Sequence, residues 1–295
     1  MTQIKDFIMD HYQHINLDEY IQTGEGGTAI SYTHKTKNTL AKLYKPGFEA
    51  DRAKAEFLTA RTVYELGVPT PEPYRLVTDG DRFGAEYELI RNKRSFTRII
   101  SQEPDRLQEI SMTFASWARK LHSTPADTGR LRSYKQVLTT FYQEKNLVPE
   151  AFKQRALTFL EKVPEPETLL HGDLQIGNII TDGDRTLWID VGEVSYGCPE
   201  WDLGIMWIMG QRMSEERADM LFHLKPEQLK EHWNIFLPAY LGTTNPETLG
   251  SFTRRIIPFY AVKVPYVYDM AFHTALPEDS FLRIEQMLGI NNKMI

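Results

Sequence analysis

The run His171-Gly172-Asp173-Leu174-Gln175-Ile176-Gly177-Asn178, followed by Asp190 and then by Trp201-Asp202, constrains this chain more than any other feature. With only 8 His, 16 Asp and 9 Asn among 295 residues, chance occurrences of His-x-Asp-x4-Asn fall far below one per chain, so these residues call for a joint explanation. Their chemistry supplies one. The Asp173 carboxylate can accept or orient a hydroxyl proton, while the amide oxygen of Asn178 and the carboxylate of Asp190 are hard oxygen donors able to hold Mg²⁺ against nucleotide phosphates. The spacing therefore points to phosphoryl transfer.

The flanking pattern tells how these groups converge. Thr168-Leu169-Leu170 reads as a short apolar strand entering the His-Gly-Asp turn. Asn178 to Thr181, Asp182-Gly183-Asp184, and Thr186 to Asp190 read as a hairpin with a tight turn. Antiparallel strands of similar length bring their far ends together. Asn178 and Asp190 are thus expected to share one cation, with Asp173 facing the same space.

Upstream, the chain offers groups that hold a nucleotide. Gly24-Glu25-Gly26-Gly27-Thr28 precedes the strand-like run Ala29 to Tyr32, and glycine lets backbone N–H groups approach phosphate oxygens. Gly24, Gly26, Gly27 and Thr28 are the candidate phosphate cover, although Ala29 stands where the last Gly of Gly-x-Gly-x-x-Gly would be, and no Walker A motif is present. In the alternating segment Leu40 to Tyr44, Lys42 shares a strand face with Leu40 and Tyr44, where a lysine is costly unless paired. Between Asp51 and Leu66, Ala53, Phe57, Ala60 and Tyr64 recur at helical spacing with Glu56 at the edge of the stripe, so Glu56 is the expected partner of Lys42.

Composition narrows the class. At 41% hydrophobic and 25% charged residues the chain reads as an ordinary globular protein. A net charge of −6 disfavours nucleic acid as a partner. The densest apolar stretch, Leu203 to Met209, is too short to span a bilayer, and Asp6 and Asp10 stand where a signal peptide would carry basic and apolar regions. A single cysteine, Cys198, excludes an internal disulfide and fits a reducing cytoplasm. His11 and His14 have no third ligand in view. The strand pattern stops near Leu89 and Ile90, which predicts a mostly strand unit over 1–89 and a helical unit over 90–295 interrupted by Pro226, Pro238, Pro246, Pro258, Pro265 and Pro277. Residues 91 to 134 carry a local net charge of +5, including the Arg91 to Arg98 cluster, and residues 135 to 295 a net of −7. That acidic excess makes Glu193, Glu200 and Asp269 candidates for meeting a cationic substrate.

Taken together, these elements resemble the aminoglycoside phosphotransferase and choline kinase family, small-molecule relatives of the protein kinases. The matching elements run from Gly24 to about Asp202 and include Lys42, Glu56, Gly67 to Pro71, Tyr87 to Ile90, Trp117 to His122, His171 to Asn178, Asp190 and Asp202. The resemblance implies an α+β, two-lobed protein-kinase-like fold with a small antiparallel-sheet N-lobe and a larger, mostly helical C-lobe. It implies that Asp173 is catalytic and that Asn178 and Asp190 bind Mg²⁺. It further implies that Lys42 contacts the α and β phosphates, that Glu56 holds Lys42, and that backbone groups from Glu88 to Ile90 meet adenine. His171 and Asp202 are implied to be structural supports of the catalytic loop. The chain departs from the family's pattern at Gln175, at Val191 and in Arg91 to Arg94, none of which removes a catalytic group.

Two departures from protein kinases set the expected acceptor. Gly172 stands where phospho-regulated kinases carry Arg, and only the eleven residues from Val191 to Trp201 separate Asp190 from Asp202, too few for a peptide-binding activation segment. The expectation is a kinase using ATP or GTP with Mg²⁺ to phosphorylate a hydroxyl of a small molecule, with cationic ones such as an aminoglycoside or amino alcohol among the candidates. The rival readings are a nucleotide-binding regulator of kinase shape and a protein kinase. Intact Asp173, Asn178, Asp190 and Lys42 oppose the first, and the short segment before Asp202 opposes the second.

Overall fold

The computed structural model describes residues 11–25 and 28–289. Tertiary packing divides the chain into two compact units, Met1–Arg94 with Asn178–Val194, and Ser95–Gly177 with Ser195–Ile295.

The first unit is built on a six-stranded sheet of order β1-β5-β6-β4-β3-β2. Its strands are β1 (Gln13–His14), β2 (Tyr20–Glu25), β3 (Ala29–His34), β4 (Thr39–Tyr44), β5 (Pro73–Thr78) and β6 (Phe83–Glu88). Strands β2 to β6 pair antiparallel, as the family resemblance implies. β1 runs parallel to β5 and makes the sheet mixed. A two-residue strand is too short to show periodicity in the sequence.

The two faces of β4 separate its residues by chemistry. Ala41 and Leu43, both fully buried, pack with Ile15, Tyr20 and Val77. On the opposite face Tyr44 packs with Ala29 and with Ala53 of α1 (Ala50–Glu65). Phe57 of α1 seats against Leu76 and Ala85, and complete burial of such a side chain stabilises by roughly 2–3 kcal/mol. The inward stripe continues through Val63 and not Tyr64, which is 40% exposed. The helix ends at Gly67, whose φ of +78° suits the left-handed turn that directs the Val68 N–H to the Val63 carbonyl.

The returning segment of this unit is the expected hairpin, Ile179–Thr181 against Thr186–Trp188. Asp182 closes its turn by accepting the N–H groups of Asp184 and Arg185. Ile180 and Leu187 bury against Ile90, and the Trp188 N–H donates to the Pro69 carbonyl at 2.8 Å.

The second unit is helical: α2 (Phe96–Gln102), α3 (Leu107–His122), α4 (Tyr134–Glu144), α5 (Glu150–Lys162), α6 (Glu200–Arg212), α7 (Glu215–Phe222), α8 (Pro226–Leu241), α9 (Pro246–Phe272) and α10 (Glu278–Gly289). Its core centres on fully buried Trp201, ringed by Tyr134, Phe159 and Phe259. A two-residue antiparallel ladder joins Leu169–Leu170 to Ser195–Tyr196. The prolines interrupt less than the sequence suggests. Pro226 and Pro246 occupy first-turn positions, where a missing N–H costs nothing, and Pro238, Pro258 and Pro265 lie inside continuous helices held by the surrounding packing.

Candidate active site

In the first unit, Lys42 and Asp190 come together. Lys42 Nζ donates to Asp190 Oδ1 at 2.7 Å, with the lysine side chain 28% exposed and the carboxylate 51% exposed. Burial opposes the lysine's charge, but Asp190, reinforced by Tyr87 and Glu56, outweighs it and holds the pKa above the ordinary lysine value. Asp190 itself sits in the left-handed region at φ 55°, ψ 42°, at the head of the short helical turn Val191–Glu193. The expected pair of Lys42 and Glu56 is coupled through charge, Glu56 raising the lysine's pKa and Lys42 lowering that of Glu56, while the hydrogen-bonded partner of the ammonium is Asp190. Glu56 instead accepts a hydrogen bond from the Tyr44 hydroxyl and lies 3.6 Å from Arg52. Burial raises its pKa, partly offset by the Tyr44 bond, with Glu193 raising it further. Tyr44 was legible in the sequence only as a residue sharing the face of Lys42. A Cβ at Gly192 would lie 3.0 Å from the Glu56 side chain, so glycine there permits the Asp190 turn to approach α1 closely.

Asn178 is buried, 4% exposed, and its carbonyl accepts the Ile189 N–H at 2.9 Å, so the two ends of the hairpin are tied beside Asp190. Two hard oxygen donors without a larger ligand cage suit Mg²⁺, which keeps several waters and completes its shell with phosphate oxygens. Among the described residues there is no group of three or more His, Cys, Asp or Glu that could hold a metal ion.

The segment expected to meet adenine is partly committed. The Glu88 N–H donates to the Glu72 carbonyl and the Leu89 N–H to the Asn38 carbonyl, while the Glu88 carboxylate pairs with Arg185 at 2.9 Å. Ile90 is 4% exposed. Of the glycine-rich loop, Gly24 lies in β2 beside a register shift, and the Thr28 carbonyl accepts the Lys45 N–H. Gly26 and Gly27 lie outside the described residues.

In the second unit, the loop carrying Asp173 is braced by buried charge. Asp202, fully buried at the start of α6, accepts the His171 N–H at 2.7 Å and the Gly172 N–H at 3.1 Å. His122 Nε2 lies 3.2 Å from Asp202 Oδ2, and Tyr240 bonds the other ring nitrogen at 2.8 Å. Lys263 of α9 adds its ammonium 3.8 Å from Asp202 Oδ1. Gly172 has φ +86°, and within the loop Gln175 Oε1 accepts the Gly177 N–H. Asp173 is exposed, between buried His171 and Leu174. His122 was visible in the sequence as part of a matching helix; Lys263 was not singled out, and its one signal is a lone cation on an otherwise apolar helical face.

The buried brace is acid-sensitive. Burial alone raises the pKa of Asp202, but the His122 bond and the Lys263 and histidine charges lower it to about 2. A depressed carboxylate contributes stability that is complete above its unfolded pKa, near 4, and is lost as pH falls through the folded value. Asp202→Asn is therefore expected to destabilise most above pH about 5, on the order of 2 kcal/mol, and the gap from wild type should shrink toward pH about 2. Urea unfolding of both proteins across that range checks it; a gap independent of pH would refute it.

Two of the three candidate substrate carboxylates belong to the second unit, and both are paired. Glu200 pairs with Arg255 at 3.1 Å and Asp269 lies 3.6 Å from Lys145, so neither supplies uncompensated charge. Glu193 belongs to the first unit, beside Glu56.

Comparison with known proteins bears on the family and the fold. The family model described as "phosphotransferase enzyme family" (APH) matches residues 23–231. Compared by sequence with curated proteins, the chain has no match. Among solved structures, a thermostable mutant of aminoglycoside phosphotransferase APH(4)-Ia, in a ternary complex with AMP-PNP and hygromycin B, aligns over 100% of both chains at 13% identity and a TM-score of 0.62. The Plasmodium vivax ethanolamine kinase aligns over 92% of this chain and 81% of its own at 18% identity and a TM-score of 0.55. A choline/ethanolamine kinase family protein from Mesorhizobium loti aligns over 93% and 88% at 13% identity and a TM-score of 0.52. At such identities the structural likeness establishes the fold, a kinase-like one with a mixed-sheet N-lobe and a helical C-lobe. The family model covers well over half of the sequence, and the chain belongs to the phosphotransferase enzyme family.

Proposed function

We propose that the protein transfers the γ-phosphoryl group of ATP to a hydroxyl of a small polar molecule. The observation that carries this reading is an exposed Asp173 on a loop whose backbone is held by a buried carboxylate, a support suited to a residue that must keep one orientation toward an acceptor. Asp173 would orient the acceptor hydroxyl and take its proton as the new phosphate ester forms. Lys42 would contact the nucleotide phosphates, with Glu56 and Tyr44 setting the charge around it. Asn178 and Asp190 would hold Mg²⁺, which when bound neutralises phosphate charge. With the Glu88 and Leu89 N–H groups engaged, the carbonyls of this segment and the backbone of Ile90 would meet adenine.

The acceptor proposed is an alcohol of small-molecule size. Amino sugars and amino alcohols head the panel to be tested because the structures of like fold include complexes with hygromycin B and an ethanolamine kinase. A specific preference for cations loses its support from Glu200 and Asp269, whose charges are compensated within the second unit. Acceptor-dependent ADP release should therefore be screened across amino sugars, amino alcohols, neutral sugars and sugar acids. Release with at least one such alcohol is expected. Phosphorylation of unrelated proteins, with no small molecule accepted, would overturn the proposal.

A further inference from the structure

Lys263 stands near the middle of α9 among buried Phe259, Ala261, Val262 and Pro265. Its side chain is 2% exposed. The ammonium donates to the Gly172 carbonyl at 2.8 Å and to the Trp201 carbonyl at 3.2 Å, and it lies 4.8 Å from the centre of the Tyr134 ring. A lysine withdrawn from water is costly even when paired, and here its charge also offsets the buried Asp202 carboxylate 3.8 Å away, which an apolar residue of the same volume could not do. Packing alone therefore does not account for this cation.

The Gly172 carbonyl belongs to the peptide group whose nitrogen is that of Asp173. Gly172 is the residue freest to rotate, and at φ +86° it holds a conformation other residues rarely adopt. Asp202 fixes the N–H on one side of its Cα and Lys263 fixes the carbonyl on the other. Rotation of the peptide that carries Asp173 is thereby stopped from both sides. We infer that Lys263 is a positioning residue for Asp173, setting the direction of its carboxylate through the Gly172 carbonyl. This inference rests on the reading of Asp173 as the group that acts on the acceptor.

The test uses the full chain and three substitutions. Lys263→Met keeps the length of the side chain and removes both charge and donors. Tyr142→Phe removes a buried hydrogen bond to the Val262 carbonyl, the neighbouring residue of α9, without touching the catalytic loop. Lys263→Met should lower kcat for ADP release from Mg·ATP by about 10- to 100-fold, both with water and with the alcohol identified by the panel, and leave the nucleotide KM unchanged. Hydrogen exchange of the amides of residues 171–175 should quicken in the same variant. Tyr142→Phe should lower Tm while leaving both readouts at wild-type values. If Lys263→Met does not accumulate as folded protein, Lys263→Arg carries the test. It keeps a cation beside Asp202, but its planar fork cannot reproduce one donor centre shared by two carbonyls, so kcat should fall about tenfold.

The two failures are separable. Near wild-type turnover in Asp173→Asn overturns the underlying reading whatever Lys263 does. An inactive Asp173→Asn, together with wild-type kcat and wild-type exchange at 171–175 in the folded Lys263 variant, overturns the positioning role alone.

Discussion

Asp173→Asn is expected to lower acceptor-dependent turnover by about 10³-fold, within the range that a positioned general base contributes, while nucleotide affinity stays close to wild type. The separation follows from where the groups reside. Asp173 belongs to the second unit, on a loop braced by Asp202 and Lys263, whereas Lys42, Asn178 and Asp190 belong to the first. An amide is isosteric with the carboxylate and keeps the loop intact, but it cannot take a hydroxyl proton. Steady-state kinetics with the panel's acceptor, beside thermal shift with AMP-PNP, reads both quantities. Turnover near wild type would remove Asp173 from the chemistry. A parallel loss of nucleotide binding would show instead that the substitution disturbed the fold.

The second large effect is expected from Asp190→Ala. A ligand that binds only the folded protein stabilises it by about 2.7 kcal/mol at 100 times its Kd, which raises Tm by several degrees in a chain of this size. The part of that rise requiring Mg²⁺ should vanish in the variant, because one of two oxygen donors at the end of the hairpin is gone. A second consequence is specific to this geometry. Lys42 loses a carboxylate 2.7 Å away and should be drawn toward nucleotide phosphate, so binding of ATP without Mg²⁺ is expected to survive. Thermal shifts with ATP alone, with Mg²⁺ alone and with both, in wild type and variant, distinguish these terms. Identical wild-type shifts with and without Mg²⁺ would count against a metal-nucleotide site at Asp190.

Local pattern was enough for much of the architecture. The hairpin between Asn178 and Asp190 was legible because a tight polar turn separates two apolar runs, and Ile179, Ile180, Leu187 and Trp188 are all buried. The helix behind β4 was legible from Ala53, Phe57 and Ala60, all of them buried. Tyr64 misled because a stripe drawn at fixed spacing ignores which flank of the helix faces the sheet, and Val63 lies inward in its place. The prolines of α8 and α9 misled for a related reason. Local propensity penalises an interior proline, but a long helix packed on the core recovers more from burial than it loses at one missing hydrogen bond.

What the sequence determined by itself was the identity and order of the chemical groups: a strand lysine, a helix glutamate, His-Gly-Asp, Asn178, Asp190 and Asp202, all within the stretch that the family model matches. Their spacings are local, and local geometry converts them directly into turns and hairpin ends. The partners of each group were decided by tertiary structure alone. Lys42 meets Asp190, 148 residues away, while Glu56 meets Tyr44. Glu200 and Asp269 are neutralised by Arg255 and Lys145, and the lysine that bonds the Gly172 carbonyl comes from a helix 91 residues further along. Charge interactions depend on distance and burial, which no periodicity encodes, so the same carboxylate reads alike in sequence whether the fold leaves it exposed, pairs it or buries it against a cation.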